Sequence, residues 1–205
     1  MGRQGAEVRL GDIDQGQPLE AHRSVEVLVG WGGWPRHTNT SRGFSQKITL
    51  PEIKLVGVKV RTNNSQEFDP LTAKIAPCVQ RYFQQQIGEK IPHRKNPGTT
   101  FCAYSDYESD YTGEYTFYVG EEVTSFEDLP EGLETHIIPP QTYVKFTTEP
   151  GPMPAVVIKA WQEIWGMSPA DLGGQRRYAT DFEGYDERAK DPQNVVLDIY
   201  IGLKA

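Results

Sequence analysis

The chain has 205 residues, enough for one sizeable domain or for two half-domains that share a core. Hydrophobic residues make up 37% and charged residues 24%, which fits a globular fold, and 15 Pro with 20 Gly announce many turns. The formal net charge of −7 argues against a general affinity for nucleic acid, which requires clustered Lys and Arg.

Only Cys78 and Cys102 are present, with no CxxC pair and no His/Cys cluster, so no structural zinc site and no other metal is expected. Two buried thiols in a reducing cytoplasm are the plain expectation. The first twenty residues contain no apolar segment of the signal-peptide kind. No stretch nears the roughly 18 apolar residues of a membrane span. A soluble, cytoplasmic protein without a cofactor and without membrane contact is expected.

Residues 1–46 are polar, with a Gly/Trp run (GWGGWP, 30–35) and one short strand candidate, SVEVLVG (24–30). They read as an extension that is in part disordered, in which Trp31 and Trp34 are candidates for a lid. GWGGWP lacks the GK[ST] of a phosphate loop. From residue 47 the pattern sharpens. KITLPEIKLVGVKVRT (47–62) alternates and is rich in Val and Ile, so one or two strands are expected. A helical pattern runs over 71–88, with Pro77 either breaking the helix or sitting in its first turn. FCAYSDYES (101–109) and GEYTFYVGEEV (113–123) read as a hairpin joined by DYTG.

A second round follows. GLETHIIPPQTYVKFTTEP (132–150) supplies strand material around Pro139 and Pro140. PMPAVVIKAWQEIW (152–165) reads as a helix with prolines at its start and Gly166 after its end. RRYATDFEGYD (176–186) and VVLDIYIGLK (195–204) read as strands. The order strand–helix–strand–strand thus occurs twice, over about 47–125 and 126–205. A pseudo-twofold α+β domain is expected, with antiparallel sheet and the helices on one face.

Two short signatures carry the chemistry. SDYES (105–109) and TDFEG (180–184) both place an acid, a ring and an acid in succession. In a strand, Asp106 and Glu108 would share one face, and Asp181 and Glu183 would share another, opposite Thr180 and Phe182. Tyr178, Phe182 and Tyr185 surround Glu183 in sequence. Trp161 and Trp165 lie one helical turn apart. Such rings serve as core or as walls of a cleft. A carboxylate inside a cleft would have a raised pKa unless a cation compensates it, and a ligand could supply that cation. The sixth and twelfth positions of an EF-hand loop starting at Asp106 are Tyr111 and Phe117, which rules that reading out.

The run from PEIKLVGVKVRT through YSDYESDYTGEYTFYVGEEV and FEDLPEGLETHIIPPQTYVKFT to AWQEIWG, DFEGYDER and VVLDIYIGLK resembles a known family. It is similar to the gyrase-inhibitor-like small-molecule-binding domain, which also forms the effector-binding half of AraC-type and MerR-type multidrug regulators. The likeness covers about residues 47–204. It implies a pocket between the two modules for aromatic, often cationic molecules. The family's pocket glutamate falls on Glu183 through the FEGYD match. Trp161, Trp165, Tyr104, Tyr185 and Phe182 are the candidate walls. Residues 1–46 are too short and too poor in helical periodicity for a helix-turn-helix reader, so the resemblance implies a stand-alone form without direct nucleic-acid binding.

Two other functions are compatible with the residues. As a hydrolase of reactive small molecules, the protein would use Glu183 as general base with Tyr104 or Tyr185 as proton donor. As a protein-interaction module, with a topoisomerase or a separate regulator as partner, it would present the acidic GEEVTSFEDLPE (120–131).

Overall fold

The computed structural model describes residues 45–205. The expectations that fall on residues 1–44, namely the strand at 24–30, the Gly/Trp run and the Trp31/Trp34 lid, lie outside the described residues. Eight strands form one antiparallel sheet: β1 (Ser45–Leu50), β2 (Ile53–Asn63), β3 (Thr100–Ser105), β4 (Glu114–Glu122), β5 (Glu134–Ile138), β6 (Gln141–Thr147), β7 (Thr180–Tyr185) and β8 (Asp198–Gly202). Between β2 and β3 lie α1 (Asn64–Glu67), α2 (Ile75–Gln84) and α3 (Ile87–Lys90); between β6 and β7 lie α4 (Ala155–Trp165) and α5 (Pro169–Leu172). The α+β class expected from the pattern is the class observed.

The strand order is β1-β6-β8-β7-β3-β4-β2-β5. Its two halves mirror one another: β7 and β3 pair at the centre, then β8 and β4, then β6 and β2. The outermost strands cross over. β1 precedes β2 in the chain yet pairs with β6, and β5 precedes β6 yet pairs with β2. Pro51 lies in the break between β1 and β2, and Pro139 and Pro140 fill the break between β5 and β6. A proline cannot donate to a ladder, so each of these stretches ends one strand and frees the chain to join a different neighbour.

The alternation along the strands divides the apolar residues between two faces. On one face α2 covers Val56, Val58, Phe117 and Val119, while α4 covers Val144, Phe146, Ile199 and Ile201. On the other face Leu55, Ala103, Tyr118, Ile138, Tyr143 and Phe182 pack together. The helices therefore sit on one face, as the sequence pattern implies. Pro77 is the third residue of α2, where its missing N–H removes no intrahelical bond. The N-terminal N–H groups of α2 find their acceptor in the sequence before it. Glu67 is buried, and its carboxylate accepts from Lys74 N–H at 3.0 Å and Ile75 N–H at 3.2 Å.

One close approach fixes the first half of the sheet. Gly57 in β2 faces Gly120 in β4. A Cβ on Gly57 would lie 2.0 Å from the Val119 carbonyl oxygen and 2.6 Å from Gly120 Cα. Backbone cannot yield by that much without distorting the ladder. Gly57→Ala should therefore destabilise the protein by about 1–3 kcal/mol, the usual range for overpacking, read as a lower urea midpoint. A midpoint equal to wild type would show that β2 and β4 tolerate a wider separation than observed.

Candidate functional site

β7 carries three inward side chains on the helix face: Asp181, Glu183 and Tyr185. Phe182, between them, points to the opposite face, where it stacks on Tyr200 with ring centroids 4.3 Å apart and 8° between planes. Asp181 and Glu183 thus share a face, as the strand periodicity requires. Phe182, expected beside Glu183, is not brought to it. It is a core residue of the other side, packed edge-on against Tyr143.

Glu183 is 2% exposed. Three neutral donors hold it. The Tyr104 hydroxyl donates to Oε1 at 2.9 Å, the Trp161 indole N–H donates to the same oxygen, and the Tyr185 hydroxyl donates to Oε2 at 2.7 Å. Tyr104 reaches it diagonally from β3, where Cys102 is the residue directly opposite Glu183. Trp161 reaches it from α4. No Lys, Arg or His among the described residues forms an ion pair with it. Burial raises the Glu183 pKa above the ordinary carboxylate range, and the hydrogen bonds from Trp161, Tyr185 and Tyr104 work against that rise. Burial, followed by the nearby Glu183 charge, pushes the Tyr104 and Tyr185 phenols well above their usual value, so both remain donors. Tyr104 and Tyr185 each pack against the core under α2 and against the core under α4. The site therefore stands where the two halves meet.

Asp181, two residues away, is fully buried and has the opposite arrangement. Arg176 donates to Oδ2 through Nη2 at 2.7 Å and through Nε at 3.1 Å. The Tyr107 hydroxyl donates to the same oxygen at 3.0 Å, and Gly202 N–H donates to Oδ1 at 2.8 Å. The guanidinium carbon lies 4.5 Å from the Tyr178 ring centroid, 5.7 Å from Trp161 and 5.9 Å from Tyr107. Burial works against the Arg176 charge, and the Asp181 carboxylate outweighs it, so the guanidinium pKa is raised.

Sequence reasoning placed Glu183 with Tyr104, Tyr185 and Trp161, and these four are in direct contact. Trp165 lies one turn further along α4, 6.2 Å from Trp161 and stacked on Tyr111 at 6.1 Å. It touches the aromatic system rather than the carboxylate. The Arg176–Asp181–Tyr107 group was missed. SDYES was expected to continue as strand, but β3 ends at Ser105, and Asp106 takes a left-handed φ of 50°. That turn ends the alternation and brings Tyr107 to the Asp181 carboxylate. Consequently SDYES closes a strand while TDFEG opens one, and Ser105 pairs with Thr180. Tyr178, expected near Glu183, also has a left-handed φ, of 56°, and packs on Arg176.

The acidic stretch 120–131 is partly engaged within the fold. Glu121 is 4% exposed and accepts from Gly98 N–H at 3.3 Å with Arg94 beside it, and Glu122 pairs with Lys95 at 2.8 Å. Cys78 and Cys102 are both buried free thiols. Among the described residues no helix is long and apolar enough to cross a membrane.

A sheet covered on one face by helices thus holds a buried acid among rings where its halves meet. Comparison with known proteins gives the class. Residues 48–203 match the integron-associated effector-binding proteins of the Cass2 type, and the chain belongs to that family. YobU of Bacillus subtilis (strain 168), a candidate transcriptional regulator, is 30% identical over 162 residues, covering 79% of this chain and 99% of YobU. An integron cassette protein from the mobile metagenome of Vibrio cholerae has a similar crystal structure, with a TM-score of 0.64 at 27% identity, covering 80% of this chain and 97% of that one. The structure of SAV2435 bound to tetraphenylphosphonium shares the fold at a TM-score of 0.62 and 19% identity, over 79% of this chain and 94% of that one.

Two expectations follow from the contrast between the acids. Asp181→Asn leaves the buried Arg176 charge without its counter-ion and should cost about 3–5 kcal/mol of unfolding free energy in a urea titration. A loss under 1 kcal/mol would mean that the guanidinium escapes to solvent. Glu183 gives stability a pH dependence. Its folded pKa is raised, so the native state binds the proton more tightly than the unfolded chain does. Wild-type stability should therefore fall relative to Glu183→Gln as pH rises from the unfolded value near 4.5 through the raised folded pKa. Melting temperatures of the two proteins measured side by side from pH 4 to 8 would read this, and a difference that stays constant would remove the buried-charge description.

Proposed function

We propose that the protein binds amphipathic, aromatic, cationic small molecules at Glu183, in the seam between its two halves. The carrying observation is a carboxylate 2% exposed, ringed by Tyr104, Tyr185 and Trp161, with no cationic partner among the described residues. A buried acid without a counter-ion is a costly arrangement, and an arriving cation relieves that cost. At about 4 Å and an effective dielectric near 20 the attraction is roughly 4 kcal/mol before the desolvation of both partners is subtracted. Each ring facing the cation adds about 0.5–2 kcal/mol. Flat walls and few directional bonds favour breadth over close discrimination. Binding replaces donors now satisfying the carboxylate, and Trp161, carried on α4, is the donor that a shift of one helix would withdraw.

Membership of the effector-binding family supports this reading, as does the cation held by SAV2435, a protein of the same fold. The cytoplasmic location expected from the sequence is part of the proposal. The full chain should bind tetraphenylphosphonium in a tryptophan-fluorescence titration, and Glu183→Gln should weaken it at least about tenfold, or 1.4 kcal/mol. Equal affinity in the variant would overturn the assignment. Mass spectrometry of the recovered ligand, and of electrophilic esters incubated with the protein, distinguishes binding from the hydrolase reading. Intact compounds are expected.

A further inference from the structure

A cavity of about 270 Å³ is lined by the C-terminal end of α4, by α5 and by the segment before β7. Its walls are aromatic and apolar, with Trp165 and Tyr111 stacked at one side, Tyr178 at another, and Leu172 of α5 as part of the lining. The charged groups among its lining residues are Arg176 and Lys204, and among the described residues no carboxylate lines it. The volume is just below the roughly 300 Å³ at which small-molecule pockets usually begin, which suits an occupant of one or two fused rings.

The charges around this cavity are unevenly committed. The Arg176 side chain is 7% exposed. Its Nε and Nη2 donate to Asp181, and Nη2 also approaches the Tyr107 hydroxyl at 3.5 Å. Nη1 has no hydrogen-bond partner among the described residues, although the side chain lines the cavity. The Lys204 ammonium has no ion pair among the described residues, and only its backbone N–H is engaged, by the Gln175 carbonyl. The nearby acids are turned to other tasks. Asp110 accepts from the Thr112 N–H and hydroxyl at 2.8 and 2.7 Å, and Asp171 accepts from the Ser168 N–H and hydroxyl at 3.0 and 2.7 Å. A buried guanidinium donor without an acceptor among the described residues, in an aromatic pocket with a second cation, calls for an anion.

We propose that this cavity is a second small-molecule site, which takes a small aromatic carboxylate: the ring lies between Trp165 and Tyr178, and the carboxylate meets Arg176 Nη1 with Lys204 close by. The site has the opposite charge preference to the one proposed at Glu183 and does not depend on it. Asp181 is essential to it in an indirect way. By holding Nε and Nη2, it fixes the guanidinium plane and leaves one edge for the ligand.

The test uses the full chain and three probes in isothermal titration: 2-naphthoate, the matched cation 2-naphthylmethylammonium, and tetraphenylphosphonium. Naphthoate is expected to bind at least about tenfold more tightly than the matched ammonium. Lys204→Glu, a change at an exposed position, should weaken naphthoate about tenfold and should not weaken tetraphenylphosphonium. Met167→Trp, which fills the cavity from its lining, should abolish naphthoate binding. The proposal is overturned if the ammonium binds as tightly as naphthoate, if naphthoate does not bind at millimolar concentration, or if neither variant alters it. Tetraphenylphosphonium, read in parallel, reports on Glu183 alone, so failure of one site is distinguishable from failure of the other.

Discussion

Two carboxylates on the same face of one strand receive opposite treatment, and the rest of the site follows from that difference. Asp181 is neutralised from within, by a guanidinium held against three rings. Glu183, two positions along, has only neutral donors among the described residues. Had Arg176 reached Glu183 instead, the seam would contain a closed ion pair and nothing to attract a ligand. The geometry keeps them apart because Arg176 enters from the segment before β7, next to the end of β8, where the Arg176–Leu203 bridge ties it down. The chain thus reserves its built-in positive charge for one acid and leaves the other to neutral donors.

The rings form a continuous run across the seam. Tyr107 meets Tyr115, Tyr115 meets Tyr104, Tyr104 meets Trp161, Trp161 meets Trp165 and Trp165 meets Tyr111, with centroid separations between 5.1 and 6.2 Å. Contacts of this kind contribute about 0.5–1.5 kcal/mol each beyond area burial. The run is therefore structural. Trp161 serves Glu183 with its N–H while Arg176 lies over its ring.

Much of the fold was legible in the sequence because it rests on period-two alternation and on proline and glycine punctuation. The doubled strand–helix–strand–strand order, the helix start around Pro77 and the end of α4 at Gly166 are local properties. The facing of Glu183 was legible for the same reason: strand parity alone sets Asp181 and Glu183 on one face and Phe182 on the other. The parity should also have excluded Phe182 from the Glu183 walls. What parity could not reveal are the places where it breaks. Asp106 and Tyr178 both adopt left-handed backbone angles, which no hydrophobic pattern announces in non-glycine residues. Those two turns bring Tyr107 and Tyr178 onto Arg176. The exchange of β1 and β5 was equally hidden, because partner choice between distant strands leaves no trace in local spacing.

That exchange has a consequence for how the molecule can vary. Each half borrows its outer strand from the other, since β1 finishes the sheet of β6 and β8, while β5 finishes that of β4 and β2. A cut near residue 125 would strip a border strand from both fragments and leave raw sheet edges on each. Recombination between relatives must therefore transplant the whole interlaced unit or rebuild both borders. Such interlacing also means that any motion widening the seam has to be absorbed by the short links at Pro51 and at Pro139–Pro140, which act as the buckles of the two straps.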